Sequence, residues 1–271
     1  MNNLSSNPYP FKLLILYSTT IPFFMNHFRK PFQKYLHFNW QFGLFLILLF
    51  GIPRFFIVLN ANITGNYSFT SLLFVAMMLT LFILLSKSGR KTIGLTKPTN
   101  YLWLGAVFIL GIVMGLIVYM LGYYLYGSTP NNWYVYIADS YTLPAEALAD
   151  QKMVYFIIFA LIGMTFSPIG EELLYRGLIH QSFVKRFGEN YASVFDSLAF
   201  AIVHIAHFGL IYTAMGWHFL YRPGLQWVAV TYFAARLFYY SKKKTGSIYG
   251  AIACHAGFNL GMTYAIFYYI L

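Results

Sequence analysis

Ionisable residues in this chain gather in short stretches, and between those stretches run apolar segments of about 20 residues, the length that crosses a bilayer core. No other feature constrains the fold as much. Each such run reads as a membrane-spanning helix. The runs lie near 40–59, 69–85, 101–126, 153–170, 191–208, 225–241 and 247–270. A further run, Phe11–Met25, is short for a span and reads either as an interfacial segment or as an eighth helix. The predicted fold is all-α, a polytopic transmembrane bundle of seven to eight helices. Pro53, beside Arg54, is expected to kink the first span or end it early.

Charge placement supports this reading. Only 9% of residues are charged, against about a quarter in a soluble domain. The net charge of +11 does not predict a nucleic-acid partner, because no basic stripe carries interleaved exposed aromatics. The cations sit instead in alternate loops. Arg29, Lys30 and Lys34 precede the first span; Lys87, Arg90, Lys91 and Lys97 follow the second; Lys185 and Arg186 precede the fifth; Lys242, Lys243 and Lys244 precede the seventh. The intervening loops hold none (60–68), Lys152 (127–152) and Arg222 (209–224). By the positive-inside rule the rich loops are cytoplasmic, and membrane lipids are the expected partner of their charge.

Three regions are expected: an N-terminal segment 1–39, membrane helices over 40–152, and a second helical unit over 153–271. Loop 127–152, with Pro130 and Pro144, reads as a solvated connector carrying a short helix near its end. Cys254 is the single cysteine, so no intrachain disulfide forms, and it reads as a small core residue. No cleavage site follows the first apolar run, so no signal peptide is predicted.

Ionisable residues inside apolar spans cost at least ~2.5 kcal/mol each at a helix centre, which makes them functional candidates. Three clusters occur. In Ser167-Pro-Ile-Gly-Glu171-Glu172-Leu-Leu-Tyr-Arg176, the spacing lets Glu172 pair with Arg176 on one helix face, while Glu171 is left without a local partner. A lone buried carboxylate suits a general base; the competing reading is a helix end with a surface ion pair. In the second cluster His204 and His207 share a face, with Phe200 one turn before and Asp196 two turns before His204. In the third, after Thr245-Gly246-Ser247, His255 and Asn259 face together and can donate to a developing oxyanion or to a neighbouring helix. Together these residues compose a hydrolytic site. The chemical rival is a Zn²⁺ site formed by Glu171, His204 and His255. No HExxH occurs, and Arg176 would put a cation beside the metal, so metal-free chemistry is expected.

At these residues the chain resembles the CPBP intramembrane proteases, which include the type II CAAX prenyl endopeptidases and bacterial abortive-infection-like proteins. Their signatures EExxxR, FxxxH and HxxxN/D are met in order by Glu171-Glu172-Leu-Leu-Tyr-Arg176, Phe200-Ala-Ile-Val-His204 and His255-Ala-Gly-Phe-Asn259. Lys244-Thr245-Gly246-Ser247 is similar to the family's lead-in to the last motif, and the resemblance covers roughly 153–265. It implies an intramembrane endopeptidase with its site inside the bundle, without a cofactor. Glu171 with His204 would activate water, His255 and Asn259 would hold the oxyanion, and Glu172 with Arg176 would support the first motif. Arg236 departs from the small residue relatives carry there; it is expected to face the cytoplasmic side or to pair with Asp196.

The implied substrate is a hydrophobic or lipid-modified peptide, cut in the cytoplasmic half of a prokaryotic cell membrane. A non-catalytic scaffold or self-immunity protein of the same fold is the alternative, but it has no need to retain both Glu171 and His204. A transporter relaying protons through Glu171, His204 and Asp196 would call for inverted repeats, and the sequence has none.

Overall fold

The chain folds as an all-α bundle with one small β-hairpin, and the computed structural model describes residues 27–141, 143 and 145–271. The Phe11–Met25 run and Pro144 lie outside the described residues. The elements are α1 (Trp40–Thr64), α2 (Ser68–Leu84), α3 (Lys87–Thr92), α4 (Tyr101–Tyr126), α5 (Trp133–Asp139) and α6 (Ala145–Glu172). A π-helical stretch (Leu173–Ile179) joins α6 to α7 (His180–Val203), and a 3-10 turn (His204–Ala206) follows. Strands β1 (Leu210–Thr213) and β2 (Gly216–Phe219), α8 (Tyr221–Thr245), α9 (Ile248–Ala265) and a second π-helical stretch (Ile266–Ile270) complete the chain.

Helix starts are set by side-chain caps: Asn39 accepts from Phe42 N, Asn100 from Leu102 N and Ser247 from Tyr249 N, each satisfying an orphan donor. Gly65 and Gly246, at φ +69° and +65°, end α1 and α8 in the left-handed conformation that L side chains resist.

Among the described residues three segments are long and apolar enough to cross a membrane: Trp40–Thr64, Tyr101–Tyr126 and the run Leu148–Ala206, whose backbone leaves the helical conformation at Gln151 and Gly188. Their outward faces are apolar. Leu44, Leu48, Ile52 and Phe56 on α1, and Ile109, Val113, Ile117 and Met120 on α4, are exposed. Apolar surface of this extent is unstable in water, so the chain is a membrane protein. Each of the seven apolar segments read from the sequence falls largely on a helix, with 191–208 running past the end of α7 into the 3-10 turn. Pro53 does not end α1, which is 25 residues long and continues through it to Thr64, packed by α2 and α7.

The basic segments gather at one end of the bundle. Arg29 N bonds Leu84 O at 2.8 Å, Arg186 lies 5.5 Å over the Trp40 ring, Lys244 lies 5.5 Å over Trp103, and Thr99 N bonds Thr245 O at 2.9 Å. The opposite end carries α5 and the hairpin. Segment 127–152 is not a solvated connector: Trp133 and Tyr134 are fully buried. Trp133 Nε1 donates to Val118 O at 3.2 Å and its ring stacks on Trp227 at 6.1 Å. The hairpin in 209–224 was not expected; Ile211 pairs with His218 across it.

The tightest helix contact is between α4 and α9. Gly111 and Gly115 on α4 face Gly257 and Gly261 on α9, with backbone carbonyls filling the space a side chain would take. Such small-residue seams let helices approach closely in lipid, where apolar burial gives them no drive to associate. The seam fixes the height of His255 and Asn259 on α9.

Candidate active site

Glu171, Glu172 and Arg176 lie where α6 passes into the π-helical stretch, and none has exposed surface. The surface ion pair and helix end weighed for this segment are therefore replaced by a buried cluster. Pro168 lacks an N–H for the helix, and the wider π turn begins five residues later; such stretches recur at functional sites. Gly170 brings this turn against the backbone of Phe74, where an added Cβ would fall 3.0 Å from the carbonyl carbon. Phe74 is mid-way along α2, so Glu171 lies inside the bundle rather than at a helix end.

Glu171 is not a lone carboxylate. Its Oε1 is ion-paired with Arg54 Nη1 of α1, and its Oε2 accepts from Ser167 Oγ at 2.6 Å. The Arg54 side chain is as buried as its partner, and it lies 5.5 Å over the Phe74 ring. Sequence reading treated Arg54 only as a companion of Pro53; the available signal was a single cation deep in an apolar span. Glu172 pairs as its spacing predicts, accepting from Arg176 Nη1 at 3.2 Å. It also takes His255 Nδ1 at 2.8 Å. A carboxylate can only accept here, so Nδ1 carries the proton. Nε2 of the same ring faces Glu171 Oε2, 3.8 Å away. Phe238 stacks flat on this imidazole at 4.5 Å and fixes its plane.

His204 starts the 3-10 turn after α7. Its Nδ1 donates to Phe200 O at 2.6 Å, which leaves the Nε2 lone pair to accept from Arg54 Nη2 at 3.1 Å. Phe200, one turn earlier, also lies under the Arg176 guanidinium at 4.5 Å. The His207 ring stacks on His204 at 5.6 Å. Asn259 Nδ2 donates to Gly163 O at 2.8 Å. Asp196 does not reach His204. It bonds His180 Nδ1 at 2.7 Å and lies 3.7 Å from Arg176 Nε. Arg236 donates to Ser193 Oγ and not to Asp196. Cys254 is buried and free, as expected of a core residue.

Arg54, Ser167, His204, His255 and Asn259 line a cavity of about 420 Å³, and Glu171, Glu172 and Arg176 lie behind this lining without surface on it. A second cavity of about 400 Å³ adjoins it at the end opposite the basic segments, sharing Gly65, Tyr67 and Ser140.

Glu171, His204 and His255 do not fit a Zn²⁺ ligand set. The Arg54 guanidinium already holds both the Glu171 carboxylate and the His204 lone pair, and a second cation there would be repelled. Among the described residues no group of three His, Cys, Asp or Glu side chains is arranged to hold a metal.

Fold and site define a helical membrane protein with a buried carboxylate–imidazole–guanidinium cluster facing an internal cavity. Residues 153–261, a stretch that contains all three motifs, match the family described as type II CAAX prenyl endopeptidase Rce1-like. No curated protein and no solved structure matches the chain.

Proposed function

We propose that this protein is a metal-free intramembrane endopeptidase that hydrolyses a hydrophobic or lipid-modified peptide in the internal cavity. The observation that carries the reading is the facing pair His255 Nε2 and Glu171 Oε2, 3.8 Å apart, of which His255 lines that cavity. With Nε2 unprotonated in this reading, a water about 2.8 Å from each atom fits between two acceptors so spaced. It would donate one hydrogen to each and present its lone pair to a substrate carbonyl. Glu171 takes the proton as water attacks, and returns it to the leaving amine. Glu172 holds the His255 tautomer, and Arg176 holds Glu172. Asn259 lines the cavity and supplies its remaining amide hydrogen to the substrate. The resemblance would give His204 the water; the lone pair of His204 is committed to Arg54, so we assign it to holding that guanidinium.

The same reading makes the protein multi-pass in a prokaryotic cell membrane, with the basic end cytoplasmic. The second cavity would then admit substrate from the other end. The test uses purified protein and a library of quenched hydrophobic peptides. Wild type is expected to cleave, with and without chelator; Glu171→Gln and His255→Ala are expected to lose cleavage while remaining folded. Cleavage abolished by chelator and restored by Zn²⁺ would overturn the metal-free chemistry. Folded wild type that cuts no peptide would favour the non-catalytic scaffold.

A further inference from the structure

The Arg54 guanidinium is a cation with no exposed surface to speak of, held between the proposed base and a histidine, and it lines the cavity. Its Nε–H has no hydrogen-bond partner. A buried unpaired donor on a charged group is costly. Arg54 belongs to α1, outside the matched stretch 153–261 and outside all three motifs.

Resting on the peptidase reading, we infer that Arg54 is a further catalytic residue, the cation that receives the tetrahedral oxyanion. The charge balance of the step explains why a cation is built there. Before attack, the negative charge sits on Glu171 and Arg54 compensates it. As water attacks, its oxygen bonds to the carbonyl carbon, its proton passes to Glu171, and the C=O π electrons move to the carbonyl oxygen. Glu171 is then neutral and the oxyanion carries the charge. The guanidinium exchanges one anionic partner for another without leaving its site, so the buried charge stays compensated throughout. His204 Nε2 and the Phe74 ring hold the guanidinium during the exchange. Of the two donors that the resemblance implies, His255 Nδ1 is engaged on Glu172, and Asn259 Nδ2 has one hydrogen on Gly163 O and one left for the substrate, so neither brings a positive charge to the oxyanion.

The experiment compares binding of a phosphinic peptide, a tetrahedral anion, with the matched amide peptide, alongside turnover. Arg54→Lys is expected to lower kcat by about 10²-fold with little change in KM, and to weaken phosphinate binding without changing amide binding. A second pair of variants needs no turnover. Glu171→Gln leaves Arg54 without its carboxylate, so it is expected to bind the phosphinate more tightly than wild type. Adding Arg54→Gln should remove that gain. Equal loss of phosphinate and amide binding, or a rise in kcat in Arg54→Lys, would overturn the inference; the rise would mark Arg54 as a latch on Glu171. Wild type that neither cleaves nor prefers the phosphinate defeats the underlying peptidase reading, a result distinct from failure of Arg54 alone.

Discussion

Gly257 on α9 tests whether the glycine seam sets the position of the site. A Cβ added there would press on the Phe108 carbonyl, lying 3.0 Å from its carbon and 3.2 Å from Ile112 N, with the carbonyl oxygen nearer still. These are backbone atoms of a helix and cannot rotate away, so α4 and α9 must part by about 1 Å to restore ordinary contact. Overpacking of this kind costs about 1–3 kcal/mol. The internal control is Gly105 on α4, exposed and with nothing within 4 Å of an added Cβ. Gly105→Ala should stabilise by about 0.5–1 kcal/mol, because alanine loses less backbone entropy in a helix. Reversible unfolding in bicelles would measure both. His255 is two residues from Gly257, and a displacement of about 1 Å is enough to cost on the order of 10²-fold in rate. Gly257→Ala should therefore lower peptidase activity as well as stability. Should Gly257→Ala prove as well tolerated as Gly105→Ala, the close approach of α4 and α9 is wrong.

Other substitutions probe separate parts of the molecule. Glu172→Ala removes one ion-pair partner of Arg176 and the acceptor of His255 Nδ1; denaturation should show a loss of about 3 kcal/mol, the lower range for breaking a buried pair, and peptidase assays a lower kcat. Trp133→Phe deletes the bond to Val118 O and should cost about 1–2 kcal/mol in a melting experiment, where a solvated connector would give no change. Burial raises the Asp139 carboxyl above its ordinary value of 3.8. The charged form is thus disfavoured in the folded state, and its contribution, present below that value, is lost as pH rises. Asp139→Asn should stabilise near pH 7 and make no difference near pH 3, read from melting curves at the two pH values.

Much of the site was legible in the sequence because its signals are local. An acid or histidine inside an apolar run stands out whatever the fold, and Glu172 and Arg176 meet across one turn, as their spacing requires. His255 and Asn259 line the same cavity because both project from one side of α9. What failed were statements about partners on other helices. Glu171 looked unpartnered because its counter-charge, Arg54, is more than a hundred residues away. Asp196 was set toward His204 by helical periodicity, but packing turned it to His180.

The sequence by itself determined which segments are helical and apolar, which ends carry the cations, and which side chains carry the candidate chemistry. These follow from backbone hydrogen bonding and transfer energies, properties of a segment alone. Tertiary structure alone decided that Arg54 joins the cluster, that His204 serves Arg54 while His255 faces Glu171, and that 127–152 packs into the core. Those outcomes depend on the angle and height at which helices cross. In this chain the crossing is set by close glycine contacts and by buried charges finding one another, and neither leaves a period in the sequence.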